Sequence, residues 1–283
     1  MTLAALQGHD SFSPMAIPEA ARLSVVISIG GVPVRVNTTD PHFLAMLQKR
    51  YAGFVSVQPQ AVFELDVSLS PPAFCDADGG VNVTHRAGRW LIEWGDLRAE
   101  WEIAGRRGTI QQTANPYSMD AVLRILHSLV LARQGGFLLH SSSAIRNGKA
   151  FLFSGVSGAG KTTMSRLAPP DATLLTDEIS YVRREGNRYL AYGTPFAGEL
   201  ARPGENCSAP LSALFLLEKG LRNSIEPISP TEAIQRLMRN ILFFADDAEL
   251  VKLVFQSACE FASLVPMHRL VFVPDQRVWD MIR

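Results

Sequence analysis

Gly155-Val156-Ser157-Gly158-Ala159-Gly160-Lys161-Thr162 is a complete G-x-x-x-x-G-K-[ST] stretch, and it follows directly on the apolar run Ala150-Phe151-Leu152-Phe153. The spacing has a physical meaning. Glycines at 155, 158 and 160 let the backbone turn through angles closed to other residues and bring successive N–H groups against phosphate oxygens, while a following helix offers its positive end. Lys161 supplies a point charge for the β- and γ-phosphates, and Thr162 a hydroxyl for Mg²⁺. A true phosphate loop needs a strand running in and a helix running out, and both are written here. Residues 149–154 are β-rich, and Met164, Leu167 and Ala168 are spaced as one helix face before Pro169-Pro170. All of Gly155, Val156, Ser157, Gly158, Ala159, Gly160, Lys161, Thr162 and Thr163 are therefore candidate nucleotide contacts. Ser157 lies in Gly-x-Ser-x-Ala, but Ala159 stands where a hydrolase nucleophile elbow needs glycine, so Ser157 reads as a loop residue.

The chain has 283 residues, 47% of them hydrophobic, with 27 basic and 27 acidic side chains. That is enough for a substantial core in two modest domains, and no global field recruits nucleic acid or an anionic membrane. Cys75, Cys207 and Cys259 are odd in number and widely spaced, which argues against a disulfide framework or a zinc site and suits a reducing cytoplasm. Neither a secretory leader nor an apolar run long enough to span a bilayer is visible, so a cytoplasmic protein without membrane attachment is expected. Nothing in the pattern excludes a homo-oligomer.

Taken in order, residues 1–20 read as a flexible lead-in and 21–115 as a smaller, β-rich α+β domain. Residues 23–29 and 32–36 flank Gly30-Gly31 as a hairpin, Asp40-Pro41 opens a helix, and 62–69 alternates as a strand. The Trp90/Ile92/Trp94 and Trp101/Ile103 stripes have period two and read as one buried sheet face. A helix over Pro116–Gln134 is apolar around most of its circumference and should be buried between the two halves. From 116 to 283 strands and helices alternate: strands at 137–140, 149–154, 172–176, 180–184, 188–192, 213–218 and 270–273, helices at 230–243 and 247–264, and a short helix at 276–282. The broken stretch 193–210 is too long for an ordinary connection and reads as a lid over the loop.

Asp177-Glu178 ends a strand only 16 residues beyond Lys161. In an open α/β sheet, strand ends and loop phosphates line one crevice, so this pair should face the γ-phosphate. An acid this early is typical of kinases that must meet an incoming hydroxyl. His140, one strand before the loop, reads from spacing alone as a hydrogen-bonded strand residue.

The ordered set Leu139-His140-Ser141-Ser142-Ser143-Ala144, Gly148-Lys149, the phosphate loop and Leu175-Thr176-Asp177-Glu178 resembles the catalytic domain of HPr kinase/phosphorylase and its relatives. The resemblance covers residues 136–200. It implies a P-loop kinase domain, with Asp177 as the general base that activates a serine hydroxyl, His140 as its neighbour, and Thr162, Asp177 and Glu178 around Mg²⁺. Glu178 stands in place of the family's second Asp. The family's glycine-rich signature after the acids is replaced by Gly193–Arg202, which makes the chain similar to HPr-kinase-like proteins that phosphorylate other acceptors, including kinases of ribosomally made precursor peptides.

These readings converge on an ATP- and Mg²⁺-dependent kinase acting on a hydroxyl, most plausibly a Ser or Thr of a peptide or small protein. Arg202 is the candidate for neutralising developing charge, with Arg239 behind it. Two alternatives stay open: a small-molecule kinase using the same site, and a nucleotide-binding regulatory module without turnover. No N-K-x-D run occurs, which disfavours a GTPase.

Overall fold

The computed structural model describes residue 18 and residues 22–283, apart from 59, 72–79 and 103. The lead-in at 1–20, apart from Pro18, and with it Cys75 and Ile103, lies outside the described residues. The chain is a mixed α/β protein built on two sheets. In the first, β1 (Leu23–Ile29), β2 (Val32–Thr38), β3 (Phe63–Leu69), β4 (Asn82–Arg86), β5 (Arg89–Trp94), β6 (Leu97–Glu102) and β7 (Arg107–Gln112) lie in the order β1-β2-β3-β7-β6-β5-β4. β1 and β2 form the expected hairpin, Ile29 opposite Val32. β3 runs parallel to both β2 and β7. The tryptophan stripes face inward, Trp90, Ile92 and Trp101 each being 1% exposed. β4 and β7 carry mostly polar residues and were not readable from alternation; pairing with β5, β3 and β6 makes them strands.

Helix α1 (Pro41–Arg50) starts where Asp40 accepts a hydrogen bond from the Phe43 amide, and it buries Phe43 and Leu47. Helix α2 (Pro116–Arg133) is capped by Asn115, which accepts from the amides of Tyr117 and Ser118. It is buried on nearly every side, as its composition demands. One core joins the first sheet, α1 and α2 to Leu138, Ile179, Tyr181 and Phe196 of the second half. Two ionisable residues of α2 are buried with it. Asp120 accepts from Tyr51 Oη at 2.6 Å and from Arg50 Nη2 at 2.5 Å. His127 is fully buried with neither ring nitrogen partnered among the described residues, its ring edge-on to Tyr181.

The second sheet contains β8 (Phe137–Arg146), β9 (Lys149–Ser154), β10 (Thr173–Thr176), β11 (Ile179–Glu185), β12 (Arg188–Tyr192), β13 (Ser208–Lys219), β14 (Ser224–Pro227), β15 (Ile241–Leu242) and β16 (Met267–Phe272). β8 is longer than its apolar start suggested. Its first half pairs with β11 and β15, its second with β9 and β10. β13 is likewise shared, first with β12 and then with β9 and β16. The strands β8, β11, β12, β13 and β9 thereby close into a ring, and only β9, β13 and β16 run parallel to one another. The sheet around the loop is therefore not the open parallel one assumed from the alternating pattern.

Three helices complete this half: α3 (Lys161–Arg166), α4 (Pro230–Met238) and α5 (Ala248–Leu264). The helix expected over 230–243 stops early. Asn240 closes α4 by donating its side-chain amide to the Arg236 carbonyl, its own carbonyl accepts from the His140 amide, and Ile241-Leu242 then pair with β8 as β15. The C-terminal segment is a 3-10 turn, Gln276–Met281, whose buried Trp279 donates Nε1–H to the Met164 carbonyl and so packs on α3. Among the described residues no helix is long and apolar enough to cross a membrane.

His127 gives the fold a measurable pH signature. Burial pulls its pKa from 6.5 down to about 3. Because the folded value lies below the unfolded one, the unfolded chain takes up the proton first, and stability present above pH 6.5 is lost as pH falls toward 3. From pH 7 to 4.5 this group should cost about 2–3 kcal/mol. Denaturant unfolding at both pH values should show that loss in the wild type and a clearly smaller one in His127→Leu; equal losses would refute the assignment.

Candidate functional site: the cavity at the phosphate loop

The phosphate loop leaves the carboxyl end of β9 between β8 and β13. Gly158 and Gly160 have φ of +75° and +112°, and a Cβ on Gly160 would stand 2.4 Å from the Phe272 ring. Both positions therefore require glycine. Ser142, buried in β8, donates to the Lys161 carbonyl at 3.1 Å and fixes the first turn of α3. Ser141, Ser143 and Ser180 bond to one another inside the sheet, so the serine run after His140 is structural. Lys161 folds back on its own loop, donating from Nζ to the carbonyls of Gly155 and Val156 at 3.0 and 3.3 Å.

A cavity of about 600 Å³ opens beside the loop. Ser157, Gly158, Gly160, Lys161, Thr162 and Thr163 form one wall, and Arg124, His140, Glu178, Ala197, Gly198, Glu199 and Lys219 the others. Gly155 and Val156 shape the loop without lining this space, and Ala159 packs beneath it in the core. His140 and Glu178 are thus brought to the loop as expected, Nε2 and Oε1 being 3.6 Å apart. That is beyond a hydrogen bond. Burial first, and then the charge of Lys161, lower the His140 pKa, with Glu178 opposing, so the imidazole is neutral at pH 7. Burial also lowers that of Lys161, against the pull of Glu178 and Glu199.

Asp177 is placed differently from the sequence reading. It is 1% exposed, does not line the cavity, and accepts from the amides of Gly198 and Leu200 at 2.9 and 2.8 Å. Both oxygens are engaged by backbone, which makes Asp177 the anchor of the following loop. The neighbouring Glu178 faces the cavity because Thr176 Oγ1 accepts from the amides of Glu178 and Ile179 and turns the chain there.

The stretch expected as a lid is a closed loop from 193 to 207. Its base is shut by Gly193 N–H donating to the Cys207 carbonyl, and its flanks lie on β10 through Thr194 to Leu175 and Glu205 to Leu174. Its tip, Ala197–Glu199, forms a cavity wall. Arg202 points elsewhere: it lines a separate cleft of about 780 Å³ with Arg166, Leu174 and Cys207. Arg239 is exposed at the end of α4. The arginine at the loop is Arg124 of α2, which sequence reading missed because it sits in an apolar helix outside the motif region. Only its being an arginine in the middle of an apolar helix, well before the terminal Arg133, pointed to it.

The anchor role of Asp177 is testable. In Asp177→Asn one side-chain oxygen becomes a donor and cannot accept from an amide, so amide exchange at Gly198 or Leu200 should quicken by ~10-fold or more. Exchange measured by mass spectrometry or NMR at wild-type rates would show that the loop is held otherwise.

Comparison with known families adds one finding. No curated protein matches the chain. The family described as SynChlorMet cassette protein ScmC matches residues 107–283, beginning at β7 and taking in α2, the loop and the whole second sheet. With well over half of its 283 residues so matched, the chain belongs to the ScmC family of SynChlorMet cassette proteins.

Proposed function

We propose that the protein is a P-loop kinase of HPr-kinase-like type, transferring the γ-phosphoryl group of ATP to a hydroxyl of a peptide or small protein. The observation that carries this reading is one cavity lined both by the phosphate loop and by a carboxylate 3.6 Å from an imidazole, Glu178 and His140. Mere nucleotide binding has no use for the second wall.

The residues present fit Mg²⁺ with a nucleotide. Thr162 supplies a hydroxyl and Glu178 a carboxylate at the cavity, while among the described residues no cluster of three or more His, Cys, Asp or Glu forms a cage of its own. That is the pattern of an ion held chiefly by phosphates and water. When bound, Mg²⁺ neutralises phosphate charge. The chain's own groups do the rest. Lys161 exchanges its loop carbonyls for phosphate oxygens, and the loop amides hold the phosphates in place. In the transfer, the bond from the γ-phosphorus to the bridging oxygen breaks and ADP departs with its electron pair. A new bond forms from phosphorus to the acceptor oxygen, and the hydroxyl proton passes to Glu178. The general base in this reading is Glu178 rather than Asp177, with the His140 imidazole 3.6 Å from it.

Transfer of labelled phosphate from ATP to hydroxyl-bearing peptides tests this. Lys161→Ala should abolish most nucleotide affinity in calorimetric titration. Glu178→Gln should retain ATP binding and lose ~10²-fold or more in transfer, the usual size of a general-base contribution. Tight nucleotide binding with no transfer to any peptide or small-molecule alcohol would support a regulatory module instead.

A further inference from the structure

Arg124 is an unusual arginine. It stands on buried helix α2, and among the described residues its Nε is buried without a hydrogen-bond partner and no ion pair joins it to a carboxylate, although Asp120 and Glu178 lie near enough to attract it. Its guanidinium lies over the Phe196 ring, 5.0 Å from the centroid, and reaches the cavity wall shared with Lys161, His140 and Glu178. Phe196 is itself fully buried, so the guanidinium rests on a fixed platform. A half-buried guanidinium that no ion pair among the described residues satisfies gains most when an anion enters the cavity beside it.

The obvious counter-ion is denied to it. Asp120 lies one turn earlier on α2, the spacing at which Asp and Arg pair on a helix. That carboxylate is taken from the other side by Arg50 and Tyr51, at the C-terminal end of α1. The hydrogen bond to Asp120 raises the Arg50 pKa, whereas burial lowers that of Arg124. The first sheet's helix thus binds the acid and leaves the second arginine for the cavity.

We infer that Arg124 is a catalytic residue that grips the γ-phosphoryl group together with Lys161, and that Arg50 and Tyr51 position it by sequestering Asp120. The inference rests on the phosphotransferase reading above and deepens it. It assigns the N-terminal sheet a part in the reaction, because α1 belongs to that half. It also states a discrimination: a third phosphate is recognised by a fork that ADP cannot reach, since planar guanidinium donors match phosphate oxygens two at a time.

The test is calorimetric titration of the full chain with Mg²⁺ and either ATP or ADP. Arg124→Ala should lose ~10-fold or more in ATP affinity and less than about 2-fold in ADP affinity, the size expected for charge-assisted hydrogen bonds to one phosphate. Arg124→Lys should recover only part of the difference. Arg50→Ala releases Asp120 to compete for Arg124 and should also reduce preference for ATP, and Arg50→Ala/Asp120→Asn should restore it, which a merely structural role would not do. Equal losses for both nucleotides in Arg124→Ala, or none, would overturn the inference while leaving the kinase reading intact. Failure of the wild type to bind either nucleotide would remove both.

Discussion

The carboxylate of Asp177 is the constraint around which the candidate site is arranged. A charged group at 1% exposure is tolerated because two backbone amides, those of Gly198 and Leu200, point at it over 2.9 and 2.8 Å. Those two bonds fix the tip of the 193–207 loop against the end of β10. A Cβ on Gly198 would meet the carboxylate oxygens of both Asp177 and Glu178 within 3.0 Å, so the close approach also demands glycine there. Two consequences follow. Ala197–Glu199 becomes a rigid wall of the phosphate-loop cavity, and Leu200–Cys207 becomes the wall of a different cleft, so a single carboxylate separates the two spaces. Of the adjacent pair Asp177-Glu178, the first is engaged by the wall and the second faces the cavity.

The second organising feature is the burial of α2 between the sheets. Its core is shared by β1 to β7, α1 and the inner residues of β8 and β11, so the first half is packed into the site's foundation. The family match begins at β7, one strand before α2. Polar groups of α2 have divided fates. Asp120 is satisfied by Arg50 and Tyr51, His127 is held neutral with no partner, and Arg124 is left facing the loop. A buried helix with three such residues is costly as a structural element alone. The kinase reading gives the third of them a purpose.

Much of this was legible in the chain itself. G-x-x-x-x-G-K-T fixes a strand, a turn with left-handed glycines and a helix, because few other backbones satisfy those residues, and the loop stands between β9 and α3 as read. The hairpin around Gly30-Gly31, the Asp40 cap, the tryptophan face and the buried helix from Pro116 were equally local, each set by turn chemistry, capping or period. Proximity of Glu178 to the loop was legible from its strand end, whereas for His140, inside β8, spacing alone pointed to a strand residue and only the family resemblance put it near the acid pair.

Tertiary structure decided what local pattern cannot carry. Which of two adjacent acids faces the cavity depends on a turn bonded to Thr176 Oγ1 and on amides supplied some twenty residues later, by Gly198 and Leu200. Which arginine reaches the phosphate-loop cavity was decided by packing between sheets: Arg202 followed its loop into the neighbouring cleft, and Arg124 was delivered by a helix whose sequence advertises only burial. Polar strands β4 and β7 exist because partners complete their hydrogen bonds, and α4 ends at Met238 because β8 offers Ile241-Leu242 a ladder. Sequence determines a side chain's chemistry and its local backbone. Where two such chemistries meet is set by hydrogen bonds and burial between segments far apart in the chain.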